Sequence, residues 1–344
     1  MRRTLATLIA LSALLVAGCS GSTTPGHVLP AAQATPLRAA LARIAATDDT
    51  RTSVAYDHTS TLVRLAGKDW SIGAGGFASL RGAGAGAIAQ YGSILQDKAN
   101  IRLFDADFAI SAGKPPKQLV LVAGGQNDQA RQGLSQLGWQ EDNGVLRAPG
   151  LDKLSEDLGA LEFSLAQARV SGSDLVYGGM GSKLDDASPS GPTLADDPTI
   201  GGLADCLGDV VAAAIDTPVL HGKLHPTAIA VGVRAPGNNS DTPHILLCAS
   251  WPDADAANQY TTLLRKALDS ASSAVTNQPW RDRLSGVTVH DPTGDRHIVG
   301  WDADTPNGRA TTVLQMMMNL DLPAFPCEGK AMPPAVRAKL SDYC

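Results

Sequence analysis

Ala228-Ile-Ala-Val-Gly-Val-Arg234, Pro236-Gly-Asn-Asn239, His244-Ile-Leu-Leu-Cys-Ala-Ser250 and Pro252-Asp253 follow one another in the second half of the chain. Two short apolar runs rich in β-branched residues flank a breaker-rich turn, which reads as two paired strands. Pro252 and Asp253 then open a segment to Leu268 in which Tyr260, Leu263, Leu264, Ala267 and Leu268 share one helical face. Proline suits the first turn of a helix, and Asp253 and Asp255 suit its positive N-terminus. The first half repeats the order. Asp107 to Gly113, the turn Lys114-Pro115-Pro116, Gln118 to Gly124 and then Asn127-Asp128 opening Gln129 to Leu137 again give strand, turn, strand, helix.

Each helix is followed by a hairpin pattern. In the first half this is Trp139 to Leu146 around Glu141-Asp142-Asn143-Gly144, and in the second Gly286 to Val289 leading through Asp291-Pro292-Thr293-Gly294 to His297–Trp301. Strand, strand, helix, strand in series predicts an α+β protein of two related subdomains, each an antiparallel sheet with helices packed on one side. Residues 36–180 form the first half and residues 201–326 the second. Residues 181–200, with Asp185-Asp186, Ser188-Pro189-Ser190-Gly191-Pro192 and Asp196-Asp197-Pro198, read as an exposed linker. Further helices are expected over Pro36–Ala46, Leu154–Ala168, Gly201–Ile215 and Arg309–Leu320, with another strand over Ser171–Tyr177. Met316, Met317 and Met318 in the last helix suit either core packing or an adaptable apolar groove.

Residues 1–19 carry an address. Arg2 and Arg3 precede an apolar run from Leu5 to Val16, which closes on Val16-Ala17-Gly18-Cys19. The run is several residues short of the roughly 20 that a spanning helix requires. The small residues before Cys19 form a lipobox, resembling bacterial lipoproteins as a class. Residues 1–18 are then a signal peptide, Cys19 the lipidated residue and residues 19–35 a flexible tether, since Ser20-Gly21-Ser22-Thr23-Thr24-Pro25-Gly26 has too little apolar surface for a core. An ordinary cleaved signal peptide is the competing reading. Two acyl chains anchor a protein stably without a spanning helix.

About 326 residues would remain after cleavage, enough for two modest domains. The whole chain has 28 basic and 34 acidic residues. Loss of Arg2 and Arg3 leaves 26 against 34 and a net charge of −8, which argues against nucleic acid as a partner. Arginine outnumbers lysine by 18 to 10, and alanine and glycine abound, a bias typical of GC-rich genomes. The four cysteines after Cys19 are Cys206, Cys248, Cys327 and Cys344. An even number in an exported chain predicts disulfides, and sequence proximity favours Cys206 with Cys248 and Cys327 with Cys344 in a closed tail, residues 327–344. No Cys-x2-Cys spacing supports zinc.

Catalytic signatures are weak throughout. The glycine-rich stretches Gly73–Gly76 and Gly82–Gly86 lack the preceding strand of a dinucleotide fold and are attributed to composition. Gly178–Lys183 lacks the spacing of a phosphate loop. His221 and His225 have metal-ligand spacing, but Gly222 and Pro226 oppose a helix between them. Ser111-Ala-Gly-Lys114 is the one Ser-x-x-Lys, placed in a strand-ending turn rather than a helix. No catalytic residue, metal or cofactor is assigned.

Thr52–Asp57 followed by Leu62–Leu65, Ala109–Val122 around Pro115-Pro116, and Leu322–Cys327 give the chain a further resemblance. It resembles exported lipoproteins of actinobacterial, mycobacterial-like type. This resemblance implies an extracytoplasmic location and supplies no catalytic residues. The expectation is a membrane-anchored cell-envelope lipoprotein on the outer face of the cell membrane. It would bind an apolar small molecule or an envelope protein through the surface formed by the two halves. The competing expectations are an envelope hydrolase whose triad is assembled from distant residues, and a purely structural surface protein.

Overall fold

Short, almost unbroken apolar runs dominate the strands of the computed structural model, which describes residues 35–67, 76–150, 159, 161–217, 224–293, 296–306 and 308–325. The first half runs through α1 (Pro36–Leu41), β1 (Ser53–Asp57), α2 (Thr59–Ala66), α3 (Gly92–Ala99), β2 (Phe108–Ala112), β3 (Leu119–Ala123) and α4 (Asp128–Gln136). It continues with β4 (Gln140–Asp142), β5 (Val145–Arg147), α5 (Leu161–Ser164), β6 (Gln167–Ser171) and β7 (Asp174–Gly178). The second half comprises α6 (Pro198–Leu207), β8 (Val210–Asp216), β9 (Ala228–Arg234), β10 (His244–Ser250), α7 (Ala254–Ser270), α8 (Trp280–Arg283), β11 (Ser285–Thr293), β12 (Ile298–Asp304) and α9 (Thr312–Met318).

The protein is α+β, but its strands form one sheet rather than two. Among the described residues twelve antiparallel strands follow the order β11-β12-β10-β9-β8-β1-β2-β3-β7-β6-β5-β4. The halves meet where β1 pairs with β8, with Ala55 opposite Ala214 and Asp57 opposite Ala212. Had each half closed its own sheet, β1 and β8 would each expose a row of unpaired backbone groups. Their mutual pairing satisfies both rows, which is the physical reason the two-subdomain expectation fails.

The duplication itself is visible in the topology. Outward from the centre the first half reads β1-β2-β3-β7-β6 and the second β8-β9-β10-β12-β11. The counterpart of β11–β12 is therefore β6–β7, not the Trp139–Leu146 hairpin. That hairpin becomes β4–β5, an added edge turned at Asn143 and Gly144, both with positive φ as a tight hairpin demands. The halves also share their leading helix. Thr35 caps α1 and Asp197 caps α6, and each helix starts with a proline at its first position.

Helices lie on both faces, against the one-sided packing expected. One face buries Val54, Tyr56, Ile110 and Leu121 against Leu37 and Leu41 of α1 and Leu203 and Leu207 of α6. On the other face, Val120, Val122 and Leu175 pack against Ala99 of α3 and Ala130 and Leu134 of α4. In the second half that same face buries Leu247, Val299 and Trp301 against Tyr260 and Leu264 of α7 and Val313 and Met316 of α9. Residues lacking alternation, such as Leu119–Ala123 with all five buried, are what two covered faces require.

Three boundaries differ from expectation for local reasons. Gly208, at φ 67°, ends α6, so Val210, Val211 and Ala214 belong to the central strand β8 rather than to a helix. Residues 181–200 are not a free linker: Leu184, Ala187 and Leu194 sit in the core, and Thr193 bridges to Ala45. Of the helix expected over Leu154–Ala168, only α5 falls in the described part, and Gln167 already begins β6.

A disulfide between Cys206 of α6 and Cys248 of β10 ties the leading helix of the second half to the sheet. This is the pair favoured by sequence proximity. Gly300 on β12 makes room for it, since a Cβ there would lie 3.1 Å from the Cys206 Sγ. Cys327 and Cys344 lie outside the described residues. Closing the 42-residue separation restricts the unfolded chain by about 4 kcal/mol in the chain-entropy model. Replacing Cys206 and Cys248 together by alanine is expected to lower unfolding free energy by about that amount in urea titrations. An unchanged midpoint would show that the bond contributes nothing.

Candidate functional site

The seam between the halves is the place where the fold assembles groups from distant sequence. On the face that carries α4 and α7, β1 presents Ser53, Ala55 and Asp57, and β8 presents Ala212, Ala214 and Asp216. Asp57 is fully buried. Its Oδ1 accepts a hydrogen bond from the Thr59 hydroxyl at 2.6 Å, and its Oδ2 accepts one from the Gly84 N–H at 2.7 Å. A backbone bond from Gly82 adds to these. Burial outweighs the bonds and raises the carboxyl from 3.8 to about 6.

The glycine-rich stretch 82–86 has a steric reason for its composition, which corrects its attribution to bias. A Cβ on Gly84 would stand 2.0 Å from the Ala109 carbonyl oxygen and 2.9 Å from the Asp57 nitrogen, so the loop lies directly on β1 and β2. Gly82 and Gly86 both have positive φ. The Tyr177 hydroxyl of β7 donates to the Ala85 carbonyl, strapping the loop from the opposite side. The Gly84 N–H that could otherwise cradle an anion is committed to Asp57.

His58 follows at the entrance to α2. Its N–H donates to the Val211 carbonyl at 2.8 Å, and its Nδ1 lies 3.3 Å from the Thr61 hydroxyl. Burial pushes the imidazole down, against the raising influence of Asp209 and Asp107. Toward the other end of the seam the floor is built of small side chains. Ala55 and Ala214 are only half-buried there, as are Ser53 and Asp216, and the Lys114 Nζ holds Asp216 Oδ1 at 2.8 Å.

A second cluster crosses three strands of the second half. The His244 Nδ1 of β10 lies 2.7 Å from Asp304 Oδ1, and its Nε2 lies 3.2 Å from Asp302 Oδ1 but out of line for a hydrogen bond. The His290 Nε2 of β11 meets Asp302 Oδ2 at 2.6 Å. Both imidazoles thus contact carboxylates, an arrangement that orders three strands on the face bearing α6. No group of three or more His, Cys, Asp or Glu is arranged to hold a metal among the described residues.

The sites considered from sequence are dispersed. Cys19, Gly73–Gly75 and His221 lie outside the described residues. Ser111 is buried in β2, while the Lys114 Nζ pairs with Asp216. Asp57 was missed, its only signal being a charged residue closing an apolar strand. Asp302 and Asp304 carried a better one, since residues two apart on a strand share a face. Their partners became visible only with the register of β10 and β11. No protein family, curated protein or solved structure matches this chain.

Two outcomes follow from the seam. The carboxyl of Asp57 binds its proton more tightly folded, at about 6, than unfolded, at 3.8, so its ionisation penalises the folded state above about pH 6 and not below about pH 4. The stability of the protein relative to an Asp57→Asn variant should therefore rise by about 2 kcal/mol as pH falls from 6 to 4, read from urea titrations at each pH. A pH-independent difference would refute the buried ionisation. Gly84→Ala should destabilise by about 3 kcal/mol through collision with the Ala109 carbonyl, and a neutral effect in thermal unfolding would contradict the close approach.

Proposed function

We propose that the chain is a lipid-anchored protein of the cell envelope, held on the extracytoplasmic face of the membrane through Cys19, and that it acts by binding. The observation that carries the reading is Val16-Ala17-Gly18-Cys19 at the end of an apolar run preceded by Arg2 and Arg3. The Cys206–Cys248 disulfide supports an oxidising compartment. No helix among the described residues is long and apolar enough to cross a membrane, so attachment in this reading rests on the lipid.

Binding is favoured by how the polar groups are used. Asp57 and Thr59 are buried and bonded to each other, out of reach of a substrate, and His244 and His290 face carboxylates rather than a nucleophile. The seam, with its alanine floor at Ala55 and Ala214, offers an apolar small molecule or a segment of an envelope protein a surface to which both halves contribute. Lipid attachment is tested by metabolic labelling with an alkyne fatty acid followed by cell fractionation. The native chain should carry label and sediment with membranes, whereas Cys19→Ser should lose the label. Undiminished labelling of Cys19→Ser would refute the anchor.

A further inference from the structure

We infer that the end of the sheet bearing Phe163 and Met180 is the surface that lies against the lipid bilayer. The inference rests on the lipid-anchored reading above and adds to it an orientation. Phe163 is 73% exposed and Met180 88% exposed, although Met180 sits in a turn held by several hydrogen bonds. The Ser182 N–H donates to the Gly179 carbonyl at 3.1 Å, closing a tight turn with Met180 at its tip. The buried Gln167 amide donates to the carbonyls of Gly179 and Ser182 at 2.9 and 2.5 Å, and the Ser182 hydroxyl donates to the Gln118 carbonyl at 2.5 Å. A single exposed apolar side chain would need no explanation, whereas several gathered on neighbouring turns mark a contact surface.

Three separate segments meet there. A Cβ on Gly179 would lie 2.6 Å from the Pro116 carbonyl oxygen and 3.1 Å from that of Phe163, so the Met180 turn lies against both α5 and the β2–β3 turn. Pro115 and Pro116 are exposed beside them. The surface consists of loop tips at strand ends and not of a groove, which suits shallow insertion at a membrane interface better than capture of a peptide. Lys183 is exposed on the Met180 turn, with a stem able to run along the apolar tip while its ammonium group reaches an anionic headgroup. Lys114 and Lys117 are balanced by Asp216 and Asp49 at 2.8 Å, so apolar contact dominates and charge assists.

The anchor leaves this orientation to the body. Sixteen residues, Cys19 to Ala34, precede Thr35, and a fully extended chain of that length spans up to about 55 Å. The tether therefore does not dictate which end faces the bilayer, and the end with exposed Phe163, Met180, Pro115 and Pro116 is the one assigned to the interface.

Hydroxyl-radical footprinting of the native full-length protein, reconstituted into vesicles of phosphatidylcholine and phosphatidylglycerol, tests this. Met318 is 75% exposed and serves as the internal reference. Met180 should be oxidised several-fold less than Met318, and Phe163→Asp should restore Met180 oxidation while the mass added by the acyl groups stays the same. Equal oxidation of the two methionines would overturn the proposal. So would protection of Met180 that persists without vesicles, which would assign the patch to a protein contact. Intact mass separates the two readings: absence of acyl groups on Cys19 refutes the anchor, while Met180 protection reads the surface alone.

Discussion

Pairing of Ser53–Asp57 with Ala212–Asp216 converts a seven-stranded and a five-stranded array, each left with an open edge, into a continuous sheet, and the remaining architecture follows from that union. Because equivalent strands pair antiparallel, the topology implies an approximate two-fold relation about an axis normal to the sheet, passing between Ala55 and Ala214. The leading helices α1 and α6 then fall together on one face, and α4 and α7 fall together on the other. Small residues at the seam make the arrangement possible. Gly84 lies directly against the Ala109 carbonyl and the Asp57 nitrogen, and a larger residue there would hold the covering loop off the sheet.

The same closeness explains the cost built into the seam. Asp57 is a carboxylate removed from water, with a threonine hydroxyl and backbone N–H groups as its compensation. Those bonds do not fully replace hydration, and the group's proton is held to about pH 6. In exchange, the carboxylate and the Tyr177 hydroxyl fix the glycine-rich loop over the line where the halves join. A buried polar pin of this kind gives the junction one register and one loop path, which an all-alanine seam would not define.

Sequence reasoning reached the repeated strand-turn-strand-helix units because their signals are local: Ala228–Arg234 and His244–Ser250 are bounded by breakers, and Asp253 caps the helix that follows. It missed the union of the sheets because strand partners are set by distant pairing, which no local pattern records. One clue was present. Leu119–Ala123 and Ile245–Ala249 are apolar without alternation, and such runs require cover on both faces, whereas one-sided sheets alternate. The stretch Val210–Ile215 read as a helix because its alanines fit either structure, and only Gly208 and the two valines distinguish them. Neither the seam nor the His244, His290, Asp302 and Asp304 cluster was legible, since each joins strands whose register is a tertiary fact.

The central claim is that β1 and β8 form the interior of a single cooperative sheet. Native-state hydrogen exchange of their backbone amides tests it most directly. Amides of Val54–Asp57 and Ala212–Ile215 should exchange with the slowest in the protein, at rates set by global unfolding and together with those of β2 and β9. Exchange of β1 and β8 at the rates of the outermost strands β4 and β11 would show two separable halves and contradict the account.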